Sequence, residues 1–243
     1  MILRQFLHVE PVAASYLLGC VSKSAGAVVD PVGDIAPYLD AAAAAGMRIL
    51  SVIDTHLHAD HFSSGRELAE ASGAKYVLFK RAEVDFHFHG VTDGEVLELG
   101  NTAIEVMHTP GHTPEHISLL VTDRSRANEP WMVLTGHTLM VGDMGRTELA
   151  SSAEDGARAL FESARRLKAL PDYLEVWPGA YSRSVCGRGL SGNPSSTIGF
   201  EKRHNKAFRI ADSAEFIAKM VAEIPPPPPG AAGTRAQNAG RAA

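Results

Sequence analysis

The segment Thr55-His56-Leu57-His58-Ala59-Asp60-His61 constrains this chain more than any other. It directly follows the apolar run at residues 49–53, so an apolar strand leads straight into three histidines and an aspartate. In extended backbone, alternation throws Leu57 and Ala59 to one side and His56, His58 and Asp60 to the other. Several lone-pair donors then converge at a strand end. That is how a divalent ion is held, since imidazole nitrogens and carboxylate oxygens ligate at roughly 2.0–2.2 Å. A polar turn with solvated histidines needs no such density of ligands.

The remaining composition sets bounds on what can surround that cluster. With 243 residues and 45% hydrophobic side chains, the chain can build one substantial core, expected as a single domain over residues 1–224. The formal charge of −5 is modest, and acidic and basic residues are interspersed without a Lys/Arg run, which argues against nucleic acid and anionic membrane as partners. No stretch of about eighteen apolar residues is present to span a bilayer. Two widely separated cysteines, Cys20 and Cys186, and a start lacking the pattern of a signal peptide point to a reducing, cytoplasmic setting. Residues 225–243 open with five consecutive prolines and continue in Ala, Gly, Arg, Gln and Asn, so they are expected to form a disordered tail.

Along the chain, the first thirty residues read as strands, and a helix follows whose cap is Asp34 and whose stop is Gly46. After the ligand cluster, Ser63 or Ser64 caps a short helix ahead of a strand at 75–79. His87 and His89 fall in what reads as a solvated loop. Strands are expected at 95–99, 102–108 and 117–122, and the loop Pro110-Gly111-His112-Thr113-Pro114 between the last two presents His112 as a further ligand candidate. A strand at 131–135 runs into Gly136-His137. Ser151 with Glu154 makes a capping box for a helix to about residue 169, a strand at 173–177 ends at Pro178-Gly179-Ala180, and Asp212 caps a last amphipathic helix.

Taken together, the run from His56 to His61, the Pro110-Gly111-His112 loop, the Thr135-Gly136-His137 turn and the Pro178-Gly179-Ala180 turn resemble the metallo-β-lactamase superfamily. Segments 109–118, 128–136, 141–146 and 194–203 look most like its glyoxalase II and persulfide dioxygenase branch, especially the module of rhodanese-fused bacterial forms. The resemblance implies an α+β fold, an αββα four-layer sandwich, with metal at one edge of the sheets. Two positions depart from the family pattern. His137 stands where the family has a metal-binding aspartate, and Ala180 stands where it usually has a histidine. A two-metal hydrolase needs both of those ligands. One divalent metal per chain is therefore expected, Fe(II) in preference to Zn(II).

Carried onto this sequence, the resemblance implies metal ligation by His56, His112 and His137, with His58 a further candidate. It gives His58, Asp60 and His61 roles in orienting ligands or moving protons. Arg146, Tyr181 and Arg183 are candidate contacts for an anionic substrate. Cys186, His116, Asp143 and His204 read as structural. The function implied is a mononuclear iron dioxygenase acting on a small thiol persulfide such as a glutathione persulfide. Any onward sulfur transfer would be left to a separate sulfurtransferase, and a homo-oligomer is expected. The alternatives are a zinc hydrolase of the glyoxalase II or thioesterase kind, and a non-catalytic sensor that has kept the fold.

Overall fold

The computed structural model describes residues 1–241. Fourteen strands and six α-helices alternate along these residues: β1 (Ile2–Val9), β2 (Val12–Cys20), β3 (Ala25–Val29), α1 (Ala36–Ala44), β4 (Arg48–Ile53), α2 (Gly65–Ser72), β5 (Lys75–Phe79), β6 (His89–Val91), β7 (Val96–Leu99), β8 (Thr102–His108), β9 (Ile117–Asp123), β10 (Met132–Gly136), β11 (Leu139–Met140), β12 (Asp143–Met144), α3 (Ala153–Lys168), β13 (Glu175–Pro178), β14 (Ser196–Thr197), α4 (Ile198–His204), α5 (Ser213–Ala222) and α6 (Ala231–Asn238). Twelve of the strands form two six-stranded sheets, in the orders β1-β2-β3-β4-β5-β6 and β14-β13-β10-β9-β8-β7, and β11 pairs with β12 in a two-stranded ribbon.

Strand periodicity explains why the sheets stack. Along β2, Ala14, Tyr16 and Leu18 face one way and Leu17 the other. Along β3 the same split separates Ala25, Ala27 and Val29 from Val28. In the second sheet, Ile117, Leu119 and Val121 of β9 part from Leu120, and Met132 and Leu134 of β10 part from Val133. The first members of each set meet in one core between the sheets. The others are covered by α1 and α2 on one outer face and by α3 and α5 on the other. Both sheets are thus apolar on both faces, as four layers require. The expected αββα sandwich is the fold observed.

Several local readings shift. The cap of α3 is Ser152, whose side chain accepts from Asp155 N–H at 3.1 Å, so the box sits one residue later than Ser151 and Glu154. His89 is not in a loop: it starts β6, which pairs in parallel with β5, while His87 is exposed. The largest difference lies in the proline-rich end. Instead of a solvated tail, residues 225–241 carry α6 and lie against the loop after β4. Composition argued for disorder because the segment is poor in large apolar groups. What orders it is polar: Arg235 and Asn238 pair with buried backbone carbonyls, and Ala239 packs with Leu57, Leu78 and Ala82. No helix among the described residues is long and apolar enough to cross a membrane.

Candidate metal centre

The ligand-type residues hang from the C-terminal ends of four strands. His56, His58, Asp60 and His61 follow β4, His112 follows β8, His137 follows β10, and Ala180 follows β13. Main-chain bonds stitch these ends together: Ile117 N–H donates to Thr55 O at 2.9 Å, and Gly179 N–H to Gly136 O at 2.7 Å. Two glycines allow the approach. At Gly136 (φ +49°) a Cβ would stand 2.5 Å from His116 Nε2 and 2.7 Å from Thr55 Oγ1; at Gly111 (φ +139°) it would stand 2.5 Å from the backbone of Leu160 in α3.

The loops bring His56, His112 and His137 together, with one ligand nitrogen of each within 4.8 Å of the others, and all three rings are buried. Each ring is oriented from behind. His56 Nδ1 lies 3.0 Å from Thr55 Oγ1, which in turn donates to Asp30 Oδ2 at 2.8 Å. His112 Nδ1 donates to the carbonyl of Arg146 at 2.8 Å. His137 is held through its backbone N–H, which donates to His116 Nε2 at 3.0 Å, while His116 Nδ1 meets the hydroxyls of Thr109 and Thr138. These second contacts fix the tautomers and leave the other nitrogens of His56 and His112 with free lone pairs.

Those lone pairs are short of partners. His56 Nε2 and His137 Nε2 are buried without a hydrogen bond among the described residues. His112 Nε2 and His137 Nδ1 stand 3.4 Å apart. Two nitrogens on one ion at ~2.0–2.1 Å each would stand roughly 2.8–3.4 Å apart, from facial to tetrahedral geometry. Burial, with repulsion between neighbouring rings, keeps all three neutral: His112 is pushed down to about 3, His137 to about 4, and His56 well below its usual value. Neutral imidazole is the ligating form. Buried polar atoms without partners are costly, so this trio fits a divalent cation.

His58, Asp60 and His61 form a second group, also within 4.8 Å of one another, in which His58 Nδ1, Asp60 Oδ1 and both His61 nitrogens are likewise buried without a hydrogen bond among the described residues. His58 is not in the trio. Its Nε2 lies 3.2 Å from Asp30 Oδ1 and its Nδ1 3.8 Å from Asp60 Oδ1. Burial pulls His58 down, but these two carboxylates outweigh it and raise it to about 10. Burial would raise Asp60; His61, His137 and His58 together hold it well below the carboxylate range instead. Cys186 Sγ joins Asp60 and His137 in a third group within 4.8 Å, its thiol pushed up by burial and by the Asp60 carboxylate. Ala180 is buried and supplies no donor.

The three residues named as substrate contacts fare differently. Arg146 is 2% exposed, and its guanidinium is taken up by Glu148 and by the carbonyls of Val185, Pro225 and Pro226. No donor of it faces a ligand, so its place is structural; its backbone carbonyl is what reaches the site, through His112. Tyr181 donates to His8 O at 2.7 Å, and Arg183 is exposed. Asp143, expected to be structural, pairs with Arg188 through both carboxylate oxygens. Sequence reasoning missed Asp30, Glu115, Arg235 and Asn238, whose polar groups hold the ligand loops. Only the tie of Thr55 and Asp30 had a legible signal, an aspartate at the end of the neighbouring strand β3.

Comparison with known proteins agrees with this geometry. The profile of the metallo-beta-lactamase superfamily matches residues 10–178. The human mitochondrial persulfide dioxygenase ETHE1 is 27% identical over 234 residues, covering 94% of this chain and 84% of the relative. A hydroxyacylglutathione hydrolase from Rhodospirillum rubrum is 30% identical over 230 residues, covering 83% and 84%. Among solved structures, a metallo-beta-lactamase from Staphylococcus aureus superposes with a TM-score of 0.90 at 35% identity, covering 98% of this chain and 72% of that one. The structure of ETHE1 from Myxococcus xanthus superposes with a TM-score of 0.84 at 30% identity, covering 98% and 99%.

Proposed function

The chain belongs to the metallo-β-lactamase superfamily, and from that premise we propose that it is a mononuclear Fe(II) enzyme oxidising a small thiol persulfide. The observation that carries this reading is the asymmetry of the site: His56, His112 and His137 converge on one point, whereas the family's second ion loses a ligand at Ala180. The similarity to ETHE1 proteins over nearly the whole chain supports it. When bound, Fe(II) on three facial protein ligands would keep open positions for a sulfur anion and O₂.

The chain's own residues would do the rest. Three neutral imidazoles leave the ion's positive charge uncompensated by any direct ligand, which favours the anionic persulfide. Asp60 Oδ1, 3.1 Å from His61 Nδ1, stays ionised and would hold His61 in orientation beside the ion. His58, protonated between Asp30 and Asp60, would hold that carboxylate in place. In the overall reaction one persulfide, one O₂ and one water become thiol and sulfite, with the outer sulfur losing the four electrons that O₂ gains. Iron-loaded protein should consume oxygen when given glutathione persulfide. A flat oxygen-electrode trace from fully iron-loaded protein would overturn the proposal.

A second reading has its own support. Cys186 beside Asp60 and His137 offers a sulfur donor that could stand in for the one missing at Ala180. The protein would then take two zinc ions and hydrolyse a glutathione thioester, as the similarity to hydroxyacylglutathione hydrolases suggests. Hydrolysis of S-lactoylglutathione that survives strict anaerobiosis would favour it.

A further inference from the structure

The loop that carries His56 to His61 has almost no backbone partners of its own. Among the described residues, Leu57 N–H donates to Glu115 Oε1 at 2.9 Å, and Leu57 O accepts from Arg235 at 2.7 Å. The carbonyls of His58 and His61 both accept from Asn238 Nδ2 at 2.8 Å, and Ser63 N–H donates to Asn238 Oδ1 at 3.0 Å. One asparagine thus closes the loop at three points. Arg235 also forks onto both oxygens of Glu115, at 3.0 and 3.1 Å, and Glu115 belongs to the loop that presents His112. Arg235 and Glu115 therefore tie the His56 loop to the His112 loop.

The segment that supplies these groups is anchored at both ends. At its start, the carbonyls of Pro225 and Pro226 accept from Arg146, whose own carbonyl orients His112. At its end, Ala239 O accepts from Asp85 N–H at 2.8 Å, and Ala239 is buried against Leu57 and Leu78. Of these connections, those to Arg146 and Leu57 reach residues that orient His112 or lie in the His56–His61 loop, and the bond to Asp85 fixes the end of the segment. An irregular buried loop must find backbone partners somewhere, and here nearly all of them come from one short strap.

We infer that residues 225–241 are a positioning strap for the metal centre, with Asn238 and Arg235 the positioning residues that hold the His56–His61 and His112 loops in ligating register. This rests on the reading that His56, His112 and His137 bind a divalent ion. It needs no contact between the strap and the ion. Outer partners of metal ligands typically govern about 10–100-fold in metal affinity, and that is the range expected here.

The test uses full-length protein and Co(II) as a spectroscopic probe, with affinity measured by chelator competition and the melting temperature recorded without metal. Asn238→Ala should weaken Co(II) binding by about 10–100-fold and alter the visible ligand-field bands, at temperatures well below its melt. Asn238→Asp keeps the acceptor for Ser63 N–H but offers no donor to the two carbonyls, so it should behave like Asn238→Ala. Arg235→Lys keeps a charge near Glu115 but loses the fork, and should fall between the wild type and Asn238→Ala. Arg241→Ala, which removes only exposed contacts, to Glu83 O and to the Asp85 carboxylate, should bind Co(II) like the wild type.

If Asn238→Ala does not fold, Asn238→Asp and Arg235→Lys decide the matter by the same two readouts. Folded variants with wild-type affinity and an unchanged spectrum would overturn the strap while leaving the metal centre standing. Wild-type protein that takes up no Co(II) would overturn both.

Discussion

Two clusters of histidines lie side by side in this molecule, and they solve the problem of burial in opposite ways. In the His58, Asp60 and His61 group, charges compensate one another: a cationic His58 sits between Asp30 and Asp60. In the His56, His112 and His137 group the rings are neutral, repel any shared proton, and leave buried nitrogens without partners. Charge compensates the first cluster without saturating it, since His58 Nδ1, Asp60 Oδ1 and both His61 nitrogens stay buried without a hydrogen bond among the described residues. The second is complete only around a cation. Histidine density in the sequence does not separate the two cases; the neighbouring carboxylates do.

The comparison is broken most severely by removing a ring from the neutral group. His112→Ala should reduce metal binding by more than the ~10–100-fold typical of outer partners, and should abolish activity with it. Asp60→Asn should leave most of the metal in place, as read by metal analysis after dialysis, while lowering turnover. Equal metal loss in the two variants would mean that the clusters share one ion.

The pH response should differ between the clusters in sign. His56, His112 and His137 are neutral in the fold and protonate once the chain unfolds, so the unfolded state binds more protons below pH 6.5. Their effect is to lower the stability of metal-free protein as pH falls from 6.5 towards 4. His58 is raised, so its contribution is fully present below 6.5 and is lost as pH rises through about 10. Thermal melts of apo-protein from pH 4 to 10.5 should therefore show losses at both ends. His58→Gln should remove the alkaline loss and, by leaving Asp30 and Asp60 without their cation, shift the acid loss to higher pH.

A smaller effect is expected from Asp30→Asn. It weakens the support of both clusters at once, through Thr55 behind His56 and through His58. We expect metal affinity to fall by about 10–100-fold, measured by chelator competition, with the folded structure retained by far-UV circular dichroism. The mildest change is Cys186→Ser. It should leave iron content and persulfide-dependent oxygen uptake near wild type if the neutral trio holds the only ion, and should lower zinc stoichiometry if Cys186 ligates a second.

Much of this was legible in the sequence because it depends on local pattern. Strand alternation and the apolar run before His56 located the sheets and the ligand loops, and strands at 75–79 and 102–108 have the bounds expected. Less legible was whatever depends on partners far along the chain. The strap reads as a solvated end because its composition lacks large apolar groups, yet it is ordered by Arg235 and Asn238 meeting carbonyls about 180 residues away. Arg146 reads in sequence as an anion contact, yet its guanidinium is capped by Glu148 and by carbonyls of that same strap. Likewise, nothing near His58 in the sequence marks it as the ring held by Asp30, which lies 28 positions earlier. A histidine's neighbours in space, not its spacing, decide whether it ligates or carries a proton.

The most direct test is metal identity and stoichiometry per chain, measured on protein purified anaerobically without added metal. The account predicts one iron per chain, lost in His112→Ala and retained in Asp60→Asn. Two zinc ions per chain, with one lost in Cys186→Ser, would contradict it and make the hydrolase reading the better one.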